Sequence, residues 1–233
     1  MKYALVTGAD TGLGKEFAQE LSSRGYRVFA GTRRSPETLP RMEHVTWMPL
    51  ELTSDESIRQ AVLCVQEETS SLDLLINNAG INKDSATDGH KEKATILEHL
   101  DRAILLHMYD VNAVAPMMMT KAFLPLLVGH SSFIINVSSC RASYHDRMPV
   151  SSANYGYKAS KAALNMLVHC SVNDLPKEVR TFAVHPGDMK TGMNPDGEQD
   201  PRVQAIAILQ ITEHWKDSQN GAFLNFDGTI YSG

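Results

Sequence analysis

The sequence predicts an α/β protein in which residues 1–233 form a single domain, one doubly wound parallel sheet with helices on both faces. Three observations predict it. Short apolar runs rich in β-branched residues alternate with longer stretches of helical period. One of these runs, Leu72–Asn77, is apolar almost throughout, as a parallel strand covered on both faces must be. A glycine turn, Gly8 to Gly14, separates the first apolar run from the first helical stretch. A chain of 233 residues buries one such sheet and leaves little room for a second domain of the same kind.

Taken in order, Tyr3–Thr7 reads as the first strand and Gly14–Arg24 as the first helix. Arg27–Thr32 and Val45–Pro49 read as the next two strands. Ser54–Thr69 reads as a helix opened by a serine cap, since a serine hydroxyl can accept from an N–H of the first turn. After the strand Leu72–Asn77, the polar stretch 82–99 reads as a surface excursion. A long helix is expected over Leu105–Leu127, then a strand over Phe133–Val137, a helix over Tyr155–Leu175 and a strand over Arg180–His185. A last helix, Arg202–Trp215, and a short strand, Ala222–Phe226, complete the series.

Composition narrows the partners. With 42% hydrophobic residues, 21% charged residues and a net charge of -5, the chain offers no general attraction to nucleic acid or to anionic lipid, and neither is expected as a partner. No run approaches the roughly 18 apolar residues of a spanning helix. The opening MKYALVTGAD lacks the pattern of a signal or transit peptide, so a cytoplasmic protein is expected. The three cysteines, Cys64, Cys140 and Cys170, have no CxxC spacing, and no metal site is expected.

The glycine turn Thr7-Gly8-Ala9-Asp10-Thr11-Gly12-Leu13-Gly14 lies between a strand and a helix. Missing side chains there let backbone N–H groups and the positive end of the helix approach a pyrophosphate. Its spacing, G-x-x-x-G-x-G, differs from the generic G-x-G-x-x-G dinucleotide fingerprint. About 20 residues farther on, an acidic side chain would hold the ribose 2'-hydroxyl of NAD, whereas a basic one accommodates the 2'-phosphate of NADP. The second strand ends in Gly31-Thr32-Arg33-Arg34, so NADP(H) is expected in preference to NAD(H).

Tyr157 and Lys161 are i and i+4 neighbours at the start of a helix. A free phenol titrates near about 10, and an ammonium beside it favours the phenolate, so Lys161 is expected to lower the Tyr157 pKa. Upstream, the strand FIINV runs into Ser138-Ser139 at the carboxyl end of a parallel strand, where open α/β sheets bind ligands. Asn77-Asn78-Ala79-Gly80 ends another strand, Asn112 lies inside the long helix, and His185 runs into Pro186-Gly187 with Thr191 beyond.

T-G-x-x-x-G-x-G, N-N-A-G, the helical asparagine, the strand-end serine, Y-x-A-S-K and P-G occur in this order over most of the chain, and together they resemble the short-chain dehydrogenase/reductase family. H-P-G-x-x-K-T at 185–191 and G-A-F-L-N-F-D-G-T at 221–229 are most similar to its compact carbonyl-reductase and sniffer-like branch. The resemblance implies a Rossmann-type fold and an NADP(H)-dependent exchange between a small-molecule carbonyl and an alcohol. It implies Tyr157 as general acid and base, and Lys161 as the group that tunes it and hydrogen-bonds the nicotinamide ribose. Ser139, in preference to Ser138, positions the substrate oxygen, and Asn112 kinks its helix and holds a relay water. Gly8, Gly12 and Gly14 line the pyrophosphate, Asn78 the adenosine side and Thr191 the nicotinamide amide. Thr11, Leu13, Arg33, Arg34, Leu52, Ala79, Gly80, Pro186 and Gly187 complete the expected cofactor contacts.

Departures from the family pattern are local. The stretch between Ser139 and Tyr157, with Tyr144, His145, Asp146 and Arg147, is longer than usual, and Ser151 or Ser152 competes there for the hydroxyl role. Glu51 stands where the family commonly has an adenine-contacting aspartate. Two other functions stay open at this stage: a nucleotide-binding signalling or regulatory protein with little turnover, and a pteridine or enoyl reductase on the same scaffold. The assembly stays open as well among homodimer, homotetramer and monomer.

Overall fold

The computed structural model describes residues 1–82, 95–144 and 154–231. Most of the predicted 82–99 excursion, and His145, Asp146, Arg147, Ser151 and Ser152 of the predicted long loop, lie outside them. Seven parallel strands form one sheet: β1 (Lys2–Thr7), β2 (Tyr26–Thr32), β3 (Val45–Pro49), β4 (Leu74–Asn77), β5 (Ser132–Val137), β6 (Val179–His185) and β7 (Phe223–Asn225). Their order is β3-β2-β1-β4-β5-β6-β7, so the winding reverses beside β1. This is the doubly wound Rossmann-type α/β fold, and the reversal opens a crevice at the carboxyl ends of β1 and β4.

Period-two alternation sets the two faces. Ala4, Val6, Val28, Ala30, Ile76 and Val184 pack against α1 (Gly12–Ser23) and α6 (Pro201–Glu213). Leu5, Phe29, Met48, Leu75 and Ile134 point the other way, onto α2 (Asp55–Gln66) and α4 (Ala115–Leu127). On that side α5 (Tyr155–Ser171) lays Leu164 and Val168 against Ala183. The predicted Ser54 cap is present, its hydroxyl accepting from the Ser57 N–H at 3.2 Å. The core also carries a polar ladder. Asn77 Nδ2 donates to Asn136 Oδ1 at 2.9 Å, and Asn136 Nδ2 donates to Thr181 Oγ1 at 3.1 Å, so three adjacent strands are tied by side chains as well as by backbone.

The predicted long helix begins earlier and is interrupted. It comprises α3 (Arg102–Tyr109), a π turn over Asp110–Val114 and then α4. The last helix and strand are shorter than expected, and after β7 the chain returns along it. Asn225 N–H donates to Thr229 O and Tyr231 N–H to Phe223 O, both at 2.8 Å. Among the described residues, no helix is long and apolar enough to cross a membrane.

Candidate active site

The glycine turn is held from below. Thr7 Oγ1 accepts the N–H groups of Asn78 and Ala79, each at 3.0 Å, so the ends of β1 and β4 share one hydroxyl. Asn78 Nδ2 spends its two hydrogens on Thr7 O at 2.9 Å and Gly8 O at 3.1 Å. Asn78, expected on the adenosine side, clamps the carbonyls of the turn with its amide nitrogen. Gly8 and Gly12 have φ of +63° and +52°, the left-handed region that favours glycine. A Cβ on Gly14 would overlap the Gly8 carbonyl oxygen and Asn78 Nδ2, so α1 approaches the turn as closely as only glycine permits.

Thr11 occupies the N-cap of α1 and its hydroxyl makes no cap hydrogen bond, while Leu13 turns inward to the core. Arg33 and Arg34 stand exposed at the end of β2, and neither guanidinium is ion-paired among the described residues. Glu51 is occupied within its own turn, its Oε1 accepting from Thr53 Oγ1 at 3.0 Å and from the Thr53 N–H at 3.2 Å. Leu52 is half-buried against the core beneath α2. Pro186 is buried after β6, and Gly187 has a φ of +89°. Thr191 lies across the turn from Gly12, whose added Cβ would stand 3.6 Å from Thr191 Cγ2, so the segment after β6 reaches over the glycine turn.

At the carboxyl end of β5 the two serines part. Ser138 Oγ donates to Asn165 Oδ1 on α5 at 2.6 Å, which commits it to packing. The Ser139 hydroxyl lies close enough to the Tyr157 phenol to favour its ionised form, and it also accepts the Arg141 N–H at 3.2 Å. The geometry therefore pairs Tyr157 with Ser139 rather than Ser138.

Lys161 is buried and its Nζ donates to Val137 O at 2.8 Å. Burial disfavours its charge and lowers its pKa to about 8. Tyr157 departs from expectation in direction. Burial raises its pKa above the ordinary phenol value and Cys140 adds to the rise, against the Ser139 hydroxyl and the positive charge of Arg141. The spacing of Tyr157 and Lys161 is as predicted, but partial desolvation of the phenol outweighs the pull toward phenolate.

Asn112 sits in the π turn, fully buried. Its Oδ1 accepts the Ile81 N–H at 2.8 Å, and its Nδ2 donates to Ile81 O at 2.9 Å and to Ser160 Oγ at 3.0 Å. Ser160 Oγ donates in turn to Tyr157 O at 2.9 Å. The expected kink is this π turn. The Asn112 side chain serves as a joint between the segment after β4 and the Tyr157 helix, with Gly80 between it and Lys161: a Cβ there would lie 3.1 Å from Asn112 Oδ1 and 3.4 Å from Lys161 Nζ.

Three residues absent from the predicted set belong to the site. Ser160 carries the joint just described, and its place inside the Y-x-A-S-K motif was its only signal. Gly156 lets α5 close on α3, since a Cβ there would stand 2.5 Å from Met108 Sδ and 3.1 Å from Leu105 Cδ2. Arg141, a cation two residues beyond the strand-end serine, lies within electrostatic reach of the phenol.

Comparison with known proteins extends the picture. A family model described as short chain dehydrogenase matches residues 2–202. The chain is 33% identical to the short-chain dehydrogenase anuI of Penicillium roqueforti, over 80% of this chain and 78% of that one. It is 30% identical to the short-chain dehydrogenase/reductase eupG of a Phoma species, over 89% and 84%. Among solved structures it is similar to an NADPH-bound carbonyl reductase from chicken fatty liver, with a TM-score of 0.85 at 28% identity, covering 100% of this chain and 99% of that one. The carbonyl reductase Sniffer of D. melanogaster superposes with a TM-score of 0.86 at 25% identity, over the whole of both chains.

Proposed function

From the premise that the chain belongs to the short-chain dehydrogenase family, we propose that it is an NADP(H)-dependent oxidoreductase that interconverts a small carbonyl compound and its alcohol, with Tyr157 as the proton-exchanging group. The observation that carries the reading is the nearness of the Ser139 hydroxyl to the partly buried Tyr157 phenol, with Lys161 on the same helix face.

The residues present fit a dinucleotide. The glycine turn is closed to any side chain at Gly14 and leaves the backbone N–H groups at the start of α1 accessible to a pyrophosphate. Thr11 has a hydroxyl without a cap partner at that helix end, and Arg33 with Arg34 supplies positive charge at the end of β2, where a 2'-phosphate would lie. When bound, the nicotinamide supplies the hydride.

The chain's own groups handle the proton and the oxygen. Ser139 orients the substrate oxygen toward the phenol, and Tyr157 donates its proton to that oxygen in reduction and takes it back in oxidation. With its pKa above the ordinary phenol value, the group carries the proton it donates in reduction at neutral pH. Lys161 keeps a donor at the floor of the site, anchored to Val137 O. Asn112 and Ser160 hold the turn from which Tyr157 projects.

NADPH oxidation followed against a panel of aldehydes, ketones and quinones tests the proposal. Turnover that falls about 100- to 10000-fold in Tyr157→Phe, with NADPH binding retained, supports it. Turnover left intact by that substitution overturns it.

A further inference from the structure

We propose that Arg141 selects the substrate, holding a carboxylate borne by the carbonyl compound that Ser139 and Tyr157 receive. The inference rests on the carbonyl-reducing reading of the site and adds the class of substrate.

Arg141 lies in the 3-10 turn Cys140–Ala142, directly after β5. Its own N–H donates to Ser139 Oγ, so the backbone of Arg141 is fixed to the hydroxyl that faces Tyr157. The turn packs against α5, the helix that carries Tyr157 and Lys161. The guanidinium lies within electrostatic reach of the phenol.

Its surroundings differ from those of the other partly buried arginines. Arg24 pairs with Glu20 and Arg27 with Glu68, each at 2.8 Å, and Arg180 donates to Ser131 Oγ at 2.6 Å beside the Phe133 ring, so each of the other half-buried guanidiniums is held by a side chain. Arg141 is also half-buried, yet among the described residues no side chain pairs with its guanidinium. A partly dehydrated guanidinium presents a fork of donors shaped for a carboxylate, and it cannot discharge by losing its proton. In a chain of net charge -5, this cation beside the Ser139–Tyr157 pair is a local feature of the site and not an overflow of basic residues. An anion bound there is attracted to the position from which its carbonyl oxygen meets Ser139 and Tyr157.

The test compares acid and ester forms of the same aldehydes, 4-carboxybenzaldehyde and succinic semialdehyde against their methyl esters, in wild type, Arg141→Ala and Arg141→Lys. Because Arg141 also acts on Tyr157, the readout is the ratio of kcat/KM for acid over ester. That ratio should fall about 10- to 100-fold in Arg141→Ala, through KM, and recover in part in Arg141→Lys. A ratio left unchanged overturns the proposal, because a residue acting only through the phenol would slow acid and ester alike. Calorimetric binding of 4-(hydroxymethyl)benzoate to the NADP-loaded protein gives a second readout that needs no turnover. Weakening of about tenfold or more in Arg141→Ala supports the anion site even if Tyr157→Phe has removed the carbonyl-reducing reading, and equal affinity overturns it.

Discussion

The side-chain amide of Asn112 makes a two-way hydrogen-bonded pair with the backbone of Ile81, accepting its N–H at 2.8 Å and donating to its carbonyl at 2.9 Å. A side chain thereby stands in for a strand partner just beyond β4, inside a π turn that brings it there. Asn112→Leu keeps the volume and removes both bonds, leaving two buried backbone groups unpaired at about 1–3 kcal/mol each. Urea unfolding should show a loss of about 2–5 kcal/mol, and kcat should fall more than KM for the carbonyl because the Ser160 tie to the Tyr157 turn goes with it. Wild-type stability in this variant would refute the joint.

Lys161 gives the fold a pH signature. Its folded pKa of about 8 lies below its unfolded value near 10.5, so between those limits the unfolded chain holds the extra proton. Its contribution to stability therefore rises as pH increases from about 8 toward 10, by about 1.4 kcal/mol per unit at most. Tyr157 acts oppositely only beyond pH 10, where the unfolded phenol ionises and the partly buried one resists. Urea midpoints at pH 7.5 and 9.5 should shift in favour of wild type relative to Lys161→Met. A pH-independent difference between the two proteins would contradict the assignment.

Gly14→Ala drives a Cβ into Gly8 O and Asn78 Nδ2, whereas Gly192→Ala meets nothing within 4 Å. The first should cost about 1–3 kcal/mol in thermal or urea unfolding and the second close to none. NADPH affinity, read from its fluorescence on binding, should drop in Gly14→Ala because the turn must open. Equal stability of the two variants would argue against the close approach.

Arg33 and Arg34 should matter to one cofactor only. Replacing both by alanine should raise the KM for NADPH about 10- to 100-fold and leave that for NADH nearly unchanged, since only the former carries a 2'-phosphate. Equal effects on the two, or a wild-type preference for NADH, would remove the basis for NADP(H) in the proposed function.

Much of this architecture was legible because it depends on short-range chemistry. Strand alternation and the Ser54 cap put β3 and the start of α2 within a residue of their observed positions. The glycine turn was readable too, although α1 starts at Gly12, two residues before the expected Gly14. What escaped depends on the third dimension. A helical period runs unbroken through Asp110–Val114, so it hides the π turn; Asn112 alone hinted at it. Adjacent serines on a strand end face opposite ways, and only the position of Asn165 on α5 shows that Ser138 is spoken for. The i, i+4 spacing of Tyr157 and Lys161 shows a cation nearby but not the burial of Lys161 and the partial desolvation of the phenol, which reverses the expected shift of the phenol. The role of Gly156 is equally invisible, since it comes from Met108 and Leu105 on another helix.

The return of residues 229–231 along β7 bears on how this molecule avoids its own kind. A terminal strand of a parallel sheet presents a row of unsatisfied N–H and C=O groups, a template on which a second chain can add a strand and begin to aggregate. Here Thr229 O and the Tyr231 N–H occupy positions along that row, and Ile230 bridges antiparallel to Leu224. The returning segment thus acts as an edge guard. Its removal would leave the sheet's order and its site in place while exposing an adhesive margin, so the harm would first be seen as lost solubility and not as lost chemistry.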